Sequence, residues 1–143
     1  MNTADLIELK AIEEARESFW AYRQYMNPKL IKGWFQREVS HALQSFYDDF
    51  IAGKRPKLVI QTPPQHGKST MIVDFISWLA GKDPDRKTIY TSFSDRLGIR
   101  ANLKLQRTYD SKKYQRLFPD TKINASNVVT ISGQVLRNRE ILE

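Results

Sequence analysis

Apolar positions recur at helical spacing in the first part of the chain. From Ala4 to Met26 there is neither Gly nor Pro, and Leu9, Ile12, Phe19 and Trp20 fall near one face. A single helix is predicted there, opened by a capping box of Asp5 and Glu8. It should stop at Asn27-Pro28, because a residue before proline resists the helical conformation. The stripe Val39, Leu43, Phe46, Phe50 predicts a second helix from Gln36 to Ala52, closed by Gly53.

After Lys54-Arg55-Pro56 the pattern changes. Lys57–Thr62 (KLVIQT) is a short β-prone run suited to a buried strand, and helical spacing resumes from Ser69 to Gly81. The turn KDPDRK leads to TIYTSF, a second strand candidate. Ser94 caps another helix running towards Asp110, with a short one before Pro119. NVVTIS then reads as a strand, followed by a turn at Gly133. Strand, loop, helix, strand, helix, strand predicts an α/β layer with a parallel sheet, the loop lying at the carboxyl rim of the strands. Residues 1–53 read as an N-terminal helical segment and 54–143 as the core, with no internal repeat or low-complexity linker.

Composition removes several classes of function. With no cysteine there is no disulfide or thiolate metal site, and His41 and His66 alone cannot make a histidine cluster. No apolar run reaches the roughly 20 residues that span a bilayer, and the acidic, mixed N-terminus is no secretory signal. The net charge of +7 points to a polyanionic partner, most simply nucleic acid. Most of the excess lies downstream of Lys68, where Arg96, Arg100, Lys104 and Arg107 share one helical face. That face suits sequence-independent phosphate contact; the alternative is a solvated face paired with acidic neighbours.

Between the first strand candidate and the helix after it lies QTPPQHGKST, Gln61–Thr70. A phosphate-binding loop needs backbone N–H groups and a helix N-terminus converging on oxygens, a lysine for the β- and γ-phosphates, and a hydroxyl for Mg²⁺. Lys68 and Ser69 supply the last two in order, and Gly67 permits close backbone approach. Gln65, His66 and Thr70 complete the candidate cradle. Thr62 stands where the usual first glycine would be, and Pro63 and Pro64 have no N–H to donate. The alternative is a chance match in a surface turn.

PPQHGKS, with WFQREVSHALQSF upstream and TIYTSFSDRLGIRANLK and YQRLFPD downstream, resembles the large subunit of tailed-bacteriophage DNA-packaging terminases over about residues 31 to 120. The resemblance implies a P-loop NTPase core of RecA-like (ASCE) type with ATP and Mg²⁺ as cofactors. It implies an ATPase that drives double-stranded DNA into a procapsid as a homo-oligomer, with the small terminase subunit and portal as partners, in the cytoplasm of the infected bacterium. It assigns the catalytic lysine to Lys68, the Mg²⁺ ligand to Ser69, and adenine recognition to Trp34 and Gln36 beside Phe35. Gln36 offers a donor and an acceptor to a base edge; alternatively it is an exposed helix-start residue, with Trp34 merely packing. Many relatives carry arginine where Gln65 stands, so the arginine role passes elsewhere.

No apolar strand ending in Asp then Glu, and no clustered nuclease carboxylates, occur in the 143 residues. The chain is therefore expected to be the front portion of such an ATPase, binding MgATP but hydrolysing it slowly or not at all. Two other readings stand beside it: a helicase-like nucleic-acid ATPase, and a non-catalytic nucleic-acid-binding protein using the basic segment.

Overall fold

A computed structural model describes residues 2–121, 128–131 and 134–137. Six helices account for most of them: α1 (Thr3–Glu17), α2 (Phe19–Met26), α3 (Trp34–Ile51), α4 (Lys68–Lys82), α5 (Asp95–Asp110) and α6 (Lys112–Leu117). The β structure among the described residues is one hairpin of β1 (Val128–Ile131) and β2 (Gln134–Arg137), antiparallel with Val128 opposite Arg137 and Ile131 opposite Gln134. The chain divides into two compact units, Met1–Trp78 and Leu79–Glu143.

The expected α/β fold, a P-loop NTPase core of RecA-like type with a parallel sheet, is therefore wrong: the described residues are mainly helical, and their one sheet is the antiparallel β1–β2 pair. Neither Lys57–Thr62 nor Thr88–Phe93 forms a strand. Val59 is 82%, Ile89 89% and Phe93 95% exposed, where buried strands were expected. The physical reason is that a strand is a paired state. Its N–H and C=O groups need a ladder, and among the described residues neither run has a neighbouring strand to supply one. The turn expected at Gly133 and the stretch after Arg137 lie outside the described residues.

The helices follow the sequence more closely. The one helix expected over 4–26 is broken at Ser18, whose backbone is extended (φ −113°, ψ 121°). Ser18 ends α1 by donating its N–H to Glu14 O at 2.8 Å, and it starts α2 by accepting from Ala21 N–H at 3.3 Å. A serine hydroxyl that bonds the backbone locally competes with helix continuation. Gln44 of α3 then accepts the otherwise orphan N–H of Phe19 at 2.8 Å. The expected capping box sits three residues early: Asn2 N–H donates to Asp5 Oδ2, and Ala4 N–H donates to Asn2 Oδ1. At the end of α3, Gly53 takes φ +82°, with Gly53 N–H on Phe50 O and Lys54 N–H on Asp49 O. These two bonds make a Schellman motif, which glycine favours because its left-handed φ costs no Cβ clash.

In the first unit, Phe19 stands edge-on to Phe75 (centroids 5.1 Å apart), and Tyr47 stands edge-on to Trp78 (5.0 Å). Phe19 and Trp78 are fully buried, each contributing about 1.5–3 kcal/mol by burial alone. Trp78 Nε1–H donates to Ala15 O at 3.1 Å, tying α4 to the end of α1. Ser77 donates to Asp74 O at 2.7 Å, so Tyr22 must be the donor in the 2.6 Å Tyr22–Ser77 bond. In the second unit Tyr114, Leu117 and Phe118 of the α6 segment are buried with Ala101 and Leu105 of α5. Phe118 lies so close to Gly81 that a Cβ there would overlap its ring.

Candidate phosphate-binding site

The site lies within the first unit, where the loop before α4 meets the start of α3. Two residues of the loop are left-handed, Gln65 (φ +64°) and Gly67 (φ +73°), one on each side of His66. Gln65 is the one non-glycine with positive φ among the described residues, and such strain clusters at functional sites. His66 Nδ1 lies 2.9 Å from Pro64 O. That contact makes Nδ1 the protonated nitrogen, since a carbonyl can only accept.

α4 begins at Lys68, directly after Gly67, and its first intrahelical bond runs from Met71 N–H to Gly67 O at 2.9 Å. The N–H groups of Lys68, Ser69 and Thr70 have no acceptor among the described residues, and all three residues are exposed. They are the orphan donors of a helix start, aimed where the helix dipole is positive. Lys68 has no ion-pair partner among the described residues.

Gln36 reaches this loop from the first turn of α3. Its Nε2–H donates to His66 O at 3.0 Å, and its Oε1 accepts from Arg23 Nη1 at 2.8 Å. A Cβ on Gly67 would stand 3.6 Å from Gln36 Nε2, so loop and amide are in contact. Phe35 stands edge-on to His66, with centroids 6.0 Å apart, and Trp34 edge-on to Phe35 at 6.0 Å. Trp34 is 74% exposed and presents an open ring at the start of α3.

Behind Gln36 is a buried charge network that the sequence did not reveal. Arg23 of α2 is 3% exposed. Its Nε lies 3.3 Å from Asp74 Oδ2 of α4, and its Nη1 also donates to Ser40 Oγ at 3.4 Å. Burial pulls the Arg23 pKa below its ordinary value, while the charge of Asp74 and its hydrogen bond pull it back up. Ser40 in turn donates to Gln36 O at 2.7 Å. The available signal was an arginine inside the aromatic run FWAYRQYM, on the same face as Phe19 and Tyr22. A partner 51 residues away has no local signature.

Of the residues expected in the site, the structure brings together Gln36, His66 and Gly67, with Gln65, Lys68, Ser69 and Thr70 adjoining in the chain and Trp34 linked through Phe35. The donor set fits a Mg²⁺ held mainly by phosphate oxygens, with Ser69 Oγ as the one protein ligand. An ion held by the protein alone does not fit, because no group of three His, Cys, Asp or Glu side chains occurs among the described residues. The basic face of α5, in the second unit, is described by itself. Arg96, Arg100 and Arg107 are exposed and lack an acidic partner among the described residues, while Lys104 is half-buried.

No helix among the described residues is long and apolar enough to cross a membrane. Comparison with protein-family models, with curated proteins and with solved structures returned no match. The terminase resemblance thus rests on the quoted residues alone.

Proposed function

We propose that this chain binds the polyphosphate of MgATP at Gln65–Thr70, as the ATP-binding portion of a terminase-like DNA-packaging motor. The observation that carries the reading is the Gln36–His66 hydrogen bond. Two segments 30 residues apart, the start of α3 and the loop before α4, meet at the start of α4. In this reading the amides of Lys68, Ser69 and Thr70 and the Lys68 ammonium hold phosphate oxygens. Ser69 Oγ would supply one ligand to the Mg²⁺ that travels with the nucleotide, neutralising phosphate charge. Trp34 offers a ring for the base.

The wider setting is proposed on the same resemblance: double-stranded DNA, the small subunit and the portal as partners, a homo-oligomeric motor, and the host cytoplasm as its place. Binding with little or no hydrolysis is the activity proposed for these 143 residues. A non-catalytic nucleic-acid reading is favoured only by the exposed Arg96, Arg100 and Arg107.

The test is calorimetric titration of MgATPγS into the chain and into Lys68→Ala, with phosphate release followed in parallel using MgATP. Saturable binding that weakens about tenfold or more in the variant, a loss of some 1.4 kcal/mol, is expected, with little phosphate released. Equal binding by both proteins, or none by either, would reject the reading.

A further inference from the structure

We propose that Arg23 is a positioning residue for the phosphate loop: from the interior of the first unit it sets the Gln36 amide that holds the His66 carbonyl. The inference rests on the phosphate-binding reading and names what gives that loop its shape. Gln36 is half-buried, and its 3.0 Å bond from Nε2 to His66 O is open to water. There a hydrogen bond from a mobile side chain holds little, because water competes for both partners and ordering the side chain costs entropy. Arg23 removes the mobility. It is 3% exposed, and its Nη1 donates to Gln36 Oε1 at 2.8 Å. A guanidinium has donors only, so the amide must meet it with oxygen and turn its NH₂ to the loop. That is the end from which the His66 carbonyl can accept. Each amide atom keeps a second valence, so this concerns the loop and leaves the base aside.

Arg23 is itself held from two helices. Its Nε lies 3.3 Å from Asp74 Oδ2 in the second turn of α4, and its Nη1 also donates to Ser40 Oγ of α3 at 3.4 Å. Ser40 is fully buried and gives its own proton to Gln36 O at 2.7 Å, which leaves its oxygen to accept from Arg23. The links from His66 O through Gln36 and Arg23 to Asp74 thus tie the loop before α4 to the body of α4. With His66 O held in this way and Gly67 O accepting from Met71 N–H at 2.9 Å, two successive carbonyls are fixed just ahead of the N–H groups of Lys68, Ser69 and Thr70. A strained residue such as Gln65 (φ +64°) persists where its surroundings over-determine it, and these bonds reach its neighbour His66.

The experiment is calorimetric titration of magnesium tripolyphosphate into the whole chain, into Gln36→Leu, into Arg23→Met with Asp74→Leu, and into the triple variant that joins them. Removing Arg23 together with Asp74 leaves the net charge unchanged, and thermal melts set a temperature at which every protein is folded. Gln36→Leu should weaken binding about tenfold, the net worth of one hydrogen bond. The Arg23→Met, Asp74→Leu variant should weaken it by a similar factor. The triple variant should bind no more than about twofold more weakly than Gln36→Leu, because Arg23 acts through Gln36. Effects that multiply to about a hundredfold in the triple variant would overturn the inference and leave the phosphate reading standing. Wild-type affinity in the Arg23→Met, Asp74→Leu variant would do the same. If that variant does not melt cooperatively, Arg23→Lys carries the same comparison: it keeps a counter-charge for Asp74 but loses the fork that reaches Asp74 and Gln36 together. No binding by the wild-type chain would overturn the phosphate reading, and this inference with it.

Discussion

The two compact units are consolidated by different means. In the first, aromatic rings pack beside a buried guanidinium, Arg23, paired with the part-exposed carboxylate of Asp74. In the second, the buried residues are Ala101, Leu105, Tyr114, Leu117 and Phe118 with the uncharged Gln106 and Thr121, and Arg96, Arg100 and Arg107 remain exposed. A buried ion pair seldom adds net stability over well-packed apolar side chains. Its place beside the loop is accounted for by what it holds: Arg23 fixes Gln36, and Gln36 fixes the His66 carbonyl. The second unit buries no charged side chain among its described residues: Arg86 pairs with Asp83 at 2.9 Å where both are part-exposed, and Arg96, Arg100 and Arg107 stand exposed.

The comparison breaks most visibly at Asp74. Asp74→Ala leaves a buried guanidinium without its counter-charge and should cost about 3–5 kcal/mol in chemical denaturation. Replacing both partners together, Arg23→Met with Asp74→Leu, should cost far less while still weakening phosphate binding. A loss under about 1 kcal/mol for Asp74→Ala would contradict the buried-pair account.

In the second unit the largest expected effect is steric. Gly81→Ala drives a methyl into the Phe118 ring and should destabilise by about 1–3 kcal/mol as α6 shifts to make room. A neutral substitution would mean that this packing is loose. Next in size is a pH effect at Tyr109, whose ring lies 5.2 Å from that of Tyr114. Burial pushes its phenol from 10.0 up to about 12. Between those values the unfolded chain has lost this proton and the folded chain keeps it. Stability should therefore fall with rising pH across that interval, by about 1.4 kcal/mol per unit at most. Tyr109→Phe should flatten that slope in denaturation curves taken across the interval. The smallest stability effect is at the surface. Arg100→Glu should change stability by no more than about 0.5 kcal/mol, yet reduce salt-sensitive duplex retention. Unchanged retention would leave the α5 face as plain solvated surface.

How much could be read in advance depended on how local the cause was. The end of α3 was legible because Gly53 imposes its own turn, and the stop after α2 because Pro28 restricts Asn27. α4 was legible from its apolar spacing and α6 from its place before Pro119, whereas the Ser111 cap that accepts from Tyr114 N–H was not read in advance. The break at Ser18 was missed because helical spacing continues across it while the serine bonds locally. The parallel sheet failed for the opposite reason. KLVIQT and TIYTSF are β-prone as strings, but pairing is a property of neighbours, and none is present among the described residues. At the site, Gly67, Lys68 and Ser69 were visible as a motif and Gln36 through the family resemblance. Arg23, Ser40 and Asp74 were not, because what joins them is packing between α2, α3 and α4.

The central claim is that the start of α4 and its loop form a phosphate cradle backed by Gln36. The most direct measurement is amide NMR of the whole chain during addition of magnesium tripolyphosphate. The account predicts saturable shifts at the backbone N–H groups of Gly67, Lys68, Ser69 and Thr70 and at the Gln36 side-chain amide, lost in Lys68→Ala. Shifts confined to Arg96, Arg100 and Arg107, with the loop amides unmoved, would contradict it.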